Sequence, residues 1–238
     1  MKAYIVAEEV EALEKAANNP RDRLLIRLLF RLGCRVSEAL ALDTNDVDVV
    51  NSAVTIVHLK VRLKLTCPDC QARLGRSHAF CPGCGAKIEG PLARQQEMRR
   101  QRTLPVDDQT LAMLKEHLQR GGPVMRGDRA LLFGINRHRA WQIVRDCARR
   151  AGLAPLVNPE TGETRGVSPH RLRDAFAVHA MRQDDSGEGR RLLQEHLGHA
   201  SFNTTARYRK VAGEEHQRWY ARLWRKENWP DGDVARTR

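Results

Sequence analysis

The hydrophobic positions of the chain follow two periods, and the change between them locates the predicted helices and strands. Over residues 22–32, leucines recur every three or four positions and form the apolar stripe of an amphipathic helix. Gly33 follows this stripe, as glycine commonly does at a helix end. Similar spacing predicts helices over residues 7–17, 37–40, 109–119, 137–151, 169–182, 189–197, 203–208 and 214–229.

Between residues 46 and 106 the pattern changes to that of β-strands. Residues 47–50 and 54–57 are rich in valine and flank a polar turn, so they predict two short strands, and strand character continues to about Lys64. Residues 103–106 predict a returning strand. We therefore expect an α+β fold that is mainly helical, with a small antiparallel sheet.

The composition predicts a soluble protein with a polyanionic partner. Of the 238 residues, 41% are hydrophobic and 29% are charged, as in one or two ordinary globular domains. Apolar runs stay below the ~18 residues needed to cross a membrane, and the N-terminus lacks the apolar core of a signal peptide, so we expect a cytoplasmic protein. The net charge of +12 favours nucleic acid first and a membrane surface second, with a merely solubilising surface as the alternative.

Four of the six cysteines form two closely spaced pairs, which predict a metal site. Two residues separate Cys67 from Cys70 and Cys81 from Cys84, and ten residues lie between the pairs. Four thiolates in this pattern hold one zinc ion in a closed, structural site, and the segment resembles a zinc ribbon. Thiols without a metal are the alternative. A redox-active pair fits less well, because two pairs lie side by side.

The cysteines lie in a predicted insertion over residues 65–90, within the strand region. A segment of about 25 residues is too short to build a hydrophobic core, so the metal must largely hold it together. Its role is open. It could contact DNA through Arg73, Arg76 and Lys87, bind a partner protein, or brace a long hairpin.

Two short segments carry residues suited to binding an anion. Arg35 follows a helix break, and Glu38 lies three residues later, where its carboxylate can brace the guanidinium; a surface ion pair is the alternative. Ser168 suits the N-cap of the next helix. On that helix His170 and Arg173 share a face near the positive end, where anions bind well, although an ordinary helix start with surface charges would have the same pattern.

A third segment, Leu197-Gly198-His199, is followed nine residues later by Tyr208. Alone, this pair would be a helix cap and a core aromatic residue. Four motifs occur along the chain in the order Arg35 to Glu38, His170 to Arg173, Leu197 to His199, and Tyr208. In this order the chain resembles the tyrosine recombinase (phage integrase) family over about residues 4–215, apart from the cysteine insertion. The resemblance implies an integrase-type catalytic domain with a zinc ribbon inserted in its β-hairpin.

The resemblance also implies the chemistry. Arg35 and Arg173 would clamp the scissile phosphate and stabilise the charge that develops on its oxygens. Tyr208 would attack the phosphorus, giving a 3′-phosphotyrosyl link and a free 5′-hydroxyl. His170 would help to take the tyrosine proton, and His199 would donate a hydrogen bond to the phosphate. Catalysis would need no metal or nucleotide, because the phosphotyrosine bond conserves the energy for religation.

The same resemblance assigns roles to a carboxylate and to a lysine. Glu38 would orient its neighbours. In the family, a lysine of the β-hairpin protonates the leaving 5′-oxygen, and Lys60 lies closest to that position. Lys64 is the rival, because the insertion disturbs the turn that would settle the register.

Three features depart from the family pattern, and one of them is an acidic, glycine-containing loop at residues 184–188, between Arg173 and His199. Asp174 follows Arg173 where the family usually has a basic or neutral residue, and this carboxylate would either weaken phosphate binding or point away. The family usually has an N-terminal helical domain that closes a clamp on DNA, whereas this chain begins at the catalytic domain. DNA binding is therefore expected to be weaker, unless the insertion at residues 65–90, here called the cysteine module, and the arginines after it compensate.

These observations predict three parts. Residues 1–64 and 91–213 form a discontinuous catalytic domain, residues 65–90 form the zinc-ribbon insertion, and residues 214–238 form a helical tail. The tail would either contact the next protomer or fold back on its own core.

The predicted function is site-specific recombination of double-stranded DNA, in integration, excision, inversion or resolution. Such a protein would act as a homo-oligomer, a tetramer on paired sites, with or without a partner recombinase or accessory protein. It would be associated with the nucleoid through DNA and have no membrane partner. The alternatives are an architectural or regulatory DNA-binding protein of the same fold, and a relaxing enzyme of the topoisomerase IB type, which the Leu-Gly-His and tyrosine arrangement resembles less closely.

Overall fold

A computed structural model describes residues 2–57, 62–75, 78–88, 92–96, 101–158 and 161–198, and of residues 62–64 and 92–96 it describes the backbone alone. Within these residues the helices are α1 (Ala7–Lys15), α2 (Pro20–Arg31), α3 (Val36–Ala39), α4 (Asp108–Gln119), α5 (Arg137–Arg150), α6 (Pro169–Gln183) and α7 (Gly187–Leu197). The strands are β1 (Val47–Asp48), β2 (Ala53–Val57), β3 (Arg62–Thr66), β4 (Arg73–Leu74), β5 (Leu92–Gln96), β6 (Gln101–Pro105), β7 (Val124–Arg126), β8 (Arg129–Leu131), β9 (Leu156–Val157) and β10 (Thr164–Arg165).

The helix α2 is the centre of the hydrophobic core. Its leucine stripe is buried, with Leu24, Leu25 and Leu28 at most 1% exposed. The helix contacts α1, α4 and α6. Asn19 caps its first turn, because the side-chain oxygen accepts a hydrogen bond from the backbone N–H of Asp22. The predicted helix is therefore confirmed, although it begins two residues earlier than expected.

The helices α6 and α7 form a smaller apolar cluster beside this core. Ala177 and Met181 of α6 pack with Leu193 and Leu197 of α7. The partly buried Phe176 packs against both clusters and so joins them. This contact holds the end of α7 near the end of α2.

Two antiparallel ladders follow one another along the strands that surround the cysteines. In the sheet β1-β2-β6, Val57 of β2 pairs with Gln101 of β6. In the sheet β4-β3-β5, Arg62 of β3 pairs with Gln96 of β5. Four residues lie between β2 and β3 in the sequence, and four lie between β5 and β6. The two ladders therefore have the same register. The cysteines lie between β3 and β5, in the hairpin region where the sequence predicted the insertion.

The main departures from the predicted elements are short. The hairpin β7–β8 was not predicted, because its residues alternate weakly and the only strong signal there is the break at residues 121–123. Ser168 occupies the N-cap of α6, but its side chain makes no capping hydrogen bond. The helices predicted over 203–208 and 214–229 lie outside the described residues.

Among the residues that the structure describes, no helix is both long enough and apolar enough to span a membrane.

Candidate active site

The turn between α2 and α3 brings three helices together. Gly33, at the end of α2, has a φ of +52°, a conformation that favours glycine. A Cβ atom at this position would lie 2.4 Å from a ring atom of Phe176 in α6 and 2.9 Å from a methyl carbon of Leu197 in α7. The missing side chain therefore lets the ends of α2 and α7 approach α6 closely, two residues before Arg35.

Arg35 and Glu38 form the ion pair that their spacing predicted. Arg35 is the N-cap of α3, and its backbone N–H donates to Oε2 of Glu38 at 2.9 Å. Its Nη1 donates to Oε1 of the same carboxylate at 2.8 Å. The side chain of Arg35 is 29% exposed and that of Glu38 only 1%, so the carboxylate lies inside and the guanidinium faces outward.

Arg102 on β6 is a member of this cluster that sequence reasoning missed. Its Nη2 donates to Oε2 of Glu38 at 2.8 Å, and its side chain is 10% exposed. The predicted returning strand began one residue too late to include it. A strand extended to Arg102 would have placed it on the same face as the buried Leu104, which was the available signal.

The two guanidiniums determine the charge of Glu38. Burial would raise the pKa of this carboxyl group, but the hydrogen bonds from Arg102 and Arg35 outweigh burial and hold the pKa at about 2. Glu38 is therefore a carboxylate at neutral pH. One negative charge shared by two guanidiniums leaves a net positive charge in the cluster.

Arg173 is buried where two helices end. It is 2% exposed, its Nη1 donates to the carbonyl oxygen of Gly33 at 2.6 Å, and its Nη2 donates to that of Leu197 at 2.8 Å. These carbonyls lie at the C-terminal ends of α2 and α7, where the helix dipole is negative and favours a cation. Of the two predicted clamp arginines, Arg35 is thus the more accessible and Arg173 the more firmly held.

The pKa of the Cys34 thiol shows that Glu38, Arg102 and Arg173 are close together, because all three charges act on it. Burial raises the pKa of the Cys34 thiol to about 12, and the charge of Glu38 acts in the same direction. Arg102 and Arg173 act in the opposite direction. The thiol donates to the carbonyl oxygen of Leu28 at 3.7 Å. Cys34 is therefore a neutral core residue that is enclosed by the charged cluster.

The end of α7 touches the same cluster. Gly198 has a φ of +64° and caps the helix in the left-handed conformation. A Cβ atom on Gly198 would lie 2.9 Å from Nη1 of Arg102. Two residues earlier, the ring of His196 stacks on Phe176 with ring centroids 4.7 Å apart, and its Nε2 lies 3.2 Å from the carbonyl oxygen of Leu32. Burial lowers the pKa of His196 to about 4, so this histidine is neutral.

His170 is close to Arg173 in the sequence, but His170 lies on the surface, whereas Arg173 is buried. The side chain of His170 is 73% exposed, and its Nε2 lies 3.8 Å from Oδ1 of Asp174. Asp174 is 6% exposed and accepts a hydrogen bond from Nη1 of Arg171 at 3.2 Å. Asp174, which departs from the family pattern, is therefore a buried carboxylate that faces Arg171 and His170.

Several predicted site residues cannot be placed. Lys60, His199 and Tyr208 lie outside the described residues, and so do Arg76 and the predicted tail. Lys64 lies in β3, where its backbone pairs with Arg94.

The four clustered cysteines converge as the sequence predicted. The sulfur atoms of Cys67, Cys70, Cys81 and Cys84 all lie within 4.8 Å of one another. The Sγ–Sγ distance is 3.7 Å between Cys67 and Cys84 and 3.5 Å between Cys70 and Cys81. A tetrahedral zinc ion with Zn–S bonds of about 2.3 Å requires sulfurs about 3.8 Å apart, so this arrangement fits zinc.

The two cysteine turns have the same backbone pattern. The N–H of Cys67 donates to the carbonyl of Ala72 at 3.0 Å, and the N–H of Cys81 donates to that of Ala86 at 2.8 Å. The N–H of Gly83 points at Sγ of Cys81 at 3.3 Å. Backbone N–H groups that face sulfur stabilise thiolates, which a metal also requires.

One face of α5 is strongly basic. The exposed positions of this helix include five arginines: Arg137, Arg139, Arg145, Arg149 and Arg150. Trp141 lies among them and is 39% exposed, and the guanidinium of Arg145 lies 4.9 Å from its ring centroid. A row of arginines with an aromatic side chain is suited to a polyanion such as the DNA backbone.

The fold agrees with comparisons to known proteins. The model of the phage integrase family matches residues 3–215, so the chain belongs to this family. The tyrosine recombinase XerD of Mycobacterium tuberculosis (strain ATCC 25618 / H37Rv) is 30% identical over 227 residues, which cover 88% of this chain and 57% of the relative. The tyrosine recombinase XerC of Herpetosiphon aurantiacus is 29% identical over 226 residues and is covered to 57%. The chain thus spans little more than half the length of these relatives.

Solved structures confirm the predicted fold class. The XerA recombinase matches with a TM-score of 0.62 and 21% identity, over 95% of this chain and 67% of that one. XerH bound to its difH substrate matches with a TM-score of 0.57 and 21% identity, over 94% of this chain and 56% of that one. The catalytic domain of bacteriophage HP1 integrase matches with a TM-score of 0.52 and 19% identity, over 96% of this chain and 98% of that one.

Proposed function

We propose that this protein is a site-specific DNA recombinase that cleaves and rejoins double-stranded DNA through a 3′-phosphotyrosyl intermediate. The observation that carries the proposal is the convergence of Arg35, Glu38 and Arg173 where α2, α6 and α7 meet. Membership of the phage integrase family supports it, and the resemblance noted in the sequence implies that these residues belong to the family's motifs.

The proposed reaction conserves the number of phosphoester bonds, because each step forms one P–O bond and breaks another. The hydroxyl oxygen of Tyr208 attacks the scissile phosphorus while the bond to the 5′-oxygen breaks. His170 accepts the tyrosine proton, Lys60 protonates the leaving 5′-oxygen, and His199 donates to the phosphate. The reverse attack by a 5′-hydroxyl restores the diester and frees Tyr208. Arg35 and Arg173 stabilise the charge on the phosphate oxygens.

We propose Lys60 rather than Lys64 as the general acid, because Lys60 is closer along the chain to the strand that faces Arg102. Arg102, which contacts Glu38, lies opposite Ile56 in the β2–β6 ladder. A strand advances about 3.3 Å per residue, so Lys64 lies up to about 26 Å along the chain from Ile56, and Lys60 up to about 13 Å. Lys64 also belongs to the ladder that carries the cysteines.

The cysteine module is proposed to bind a structural zinc ion. The spacing of the four sulfurs supports this assignment, and zinc would hold together a segment that has little core of its own. We assign residues 65–90 to this insertion and residues 1–64 and 91–213 to the catalytic domain. The metal would not take part in strand cleavage, because four protein thiolates leave it no open position.

Double-stranded DNA is the proposed partner. The exposed arginines of α5 support it, since they form a basic face on a helix. Among similar proteins, XerH has been solved bound to its difH substrate. Exchange between two sites requires several protomers, so we propose a homotetramer on paired sites in the cytoplasm, associated with the nucleoid. Residues 214–238 are proposed to contribute to oligomerisation.

The test is covalent capture on DNA. Duplexes retained by the protein from a random library would be rebuilt with a nick beside the cleavage position, so that cleavage releases a short fragment and cannot reverse. Wild-type protein should give a covalent adduct on a denaturing gel, and Tyr208→Phe should give none. The chain has two other tyrosines, so Tyr4→Phe and Tyr220→Phe are matched controls that should form the adduct. Binding without an adduct in wild type would favour an architectural or regulatory DNA-binding protein.

A further inference from the structure

Arg102 lies at the junction of three parts of the candidate active site. The strand β6 places it opposite Ile56, whose side chain is fully buried. From there its guanidinium reaches Glu38 on α3 and Gly198 after α7. An arginine on the hairpin strand therefore contacts both the segment that carries Arg35 and the turn that leads into His199.

The contact with Gly198 is close. Nη1 of Arg102 lies 2.9 Å from the position that a Cβ atom on Gly198 would occupy. Any other residue there would displace the guanidinium and would also strain a backbone with a φ of +64°. The guanidinium therefore packs directly against this turn.

The burial of Arg102 has an energetic cost. Among the described residues, its Nε is buried and has no hydrogen-bond partner. An unsatisfied buried donor costs about 1–3 kcal/mol. Such an exception in a native structure calls for an explanation, and a functional role is one that fits the position of Arg102.

The shared carboxylate gives Arg102 a means of acting on Arg35. Arg102 occupies Oε2 of Glu38, and Nη1 of Arg35 takes Oε1. Without Arg102, more of the negative charge of Glu38 would act on Arg35 and compete with a phosphate for its guanidinium. The carboxylate would also lose one of the hydrogen bonds that hold it in place.

We propose that Arg102 is a positioning residue of the recombination reaction, acting on Arg35 through Glu38 and on the turn before His199 through Gly198. This inference rests on the proposed function. Arg102 does not replace either clamp arginine. It orients Arg35 and leaves it the net positive charge needed to bind the scissile phosphate.

The test compares two DNA substrates. Arg102→Gln should slow adduct formation on ordinary DNA by about 100-fold, as expected for a misplaced reacting group, while total DNA binding stays unchanged. On DNA with a neutral methylphosphonate at the cleavage position, the loss should be much smaller, because less negative charge then depends on Arg35. Arg102→Lys should recover part of the rate, because it keeps the charge but not the fork geometry.

The matched control is Arg129→Gln. Like Arg102, Arg129 donates to a carboxylate, that of Asp43, at 2.7 Å. It also donates to the carbonyl of Ala41 at 2.6 Å, but it lies outside the cluster. The Arg129→Gln variant should cleave both substrates at the wild-type rate. The inference is overturned if Arg102→Gln cleaves like wild type, or if it slows both substrates equally with a lower melting temperature. If wild type itself forms no adduct, the proposed function fails, and the role of Arg102 with it.

Discussion

The helical region and the cysteine module of this protein are held together by different means. In the helical region, α2 is surrounded by apolar side chains, and residues such as Leu25 and Leu28 are completely buried. In the module, the buried cluster consists of Cys67, Leu74 and Cys81, with three partly buried neighbours. Two of those three buried residues are proposed metal ligands. Apolar packing therefore stabilises the first region, whereas the second has little apolar packing and, under the proposed function, depends on a metal ion.

The difference shows where the precision of the candidate active site comes from. Arg35, Glu38 and Arg173 are anchored on helices of the packed region, and Arg173 is held by two helix-end carbonyls. Arg102 is the connection to the other region, because it lies on the strand that returns from the module. The two regions should accordingly respond to different perturbations.

Metal removal should have the largest effect, and it should be confined to the module. Structural zinc contributes about 10–16 kcal/mol of binding free energy in small zinc domains, so a strong chelator should unfold the module and leave the helical region folded. Elemental analysis should find one zinc ion per chain, and amide exchange should show loss of protection in the module only. Cys70→Ser should lose the metal, and Cys147→Ser, outside the cluster, should keep it. Unchanged exchange after complete metal removal would contradict the comparison.

Arg173→Gln should have the next largest effect, in the helical region. The carbonyls of Gly33 and Leu197 would lose a buried cationic donor, and each such loss costs about 1–3 kcal/mol, so the free energy of unfolding should fall by about 4 kcal/mol. Urea unfolding measures this change. Arg149→Gln, an exposed arginine, is the control and should be neutral. Equal stability of the Arg173 variant and wild type would disprove the anchoring role.

Leu28→Ala should weaken the helical region without affecting the metal site. The side chain is fully buried, and a cavity at such a position costs about 3 kcal/mol. Competition with a zinc indicator should give the same zinc affinity as wild type. A parallel loss of zinc affinity would mean that the two regions fold as one unit.

The smallest effect is an acid sensitivity that belongs to His196. Burial lowers the pKa of this histidine to about 4, from an ordinary value of 6.5. The unfolded chain therefore binds the proton more readily, and stability that is complete above pH 6.5 is lost as the pH falls towards 4. The loss should reach about 2 kcal/mol at about pH 5.

His196→Gln should flatten this part of the stability curve, as measured by urea unfolding at several pH values. The depressed carboxyl groups do not interfere. Glu38, with a pKa of about 2, contributes stability that is lost only below its ordinary value of 4.5. If the variant keeps the slope between pH 6.5 and 4.5, another group is responsible.

Local features of the site could be predicted from the sequence, and long-range ones could not. The pairing of Arg35 with Glu38 depends on a spacing of three residues, and the cysteine cluster depends on two short turns, so both are visible in the sequence. The contact of Glu38 with Arg102 joins residues 64 positions apart and depends on the register of β2 and β6. No local pattern contains that register.

The same limit applies to burial. A helix start with His170 and Arg173 gave no sign that one side chain would be exposed and the other enclosed by two helix ends. That outcome depends on how closely α2 and α7 approach, which Gly33 permits through its missing side chain. The leucine stripe of α2, in contrast, was sufficient to predict the helix at the centre of the core.

The most direct test of the proposed chemistry is to identify the atom that becomes linked to DNA. The covalent adduct would be trimmed with nuclease, digested with a protease and sequenced by mass spectrometry. The proposed mechanism predicts a nucleotide joined through its 3′-phosphate to the oxygen of Tyr208, with a free 5′-hydroxyl on the released strand. A link to Tyr4, to Tyr220 or to a serine, or a link through a 5′-phosphate, would contradict it.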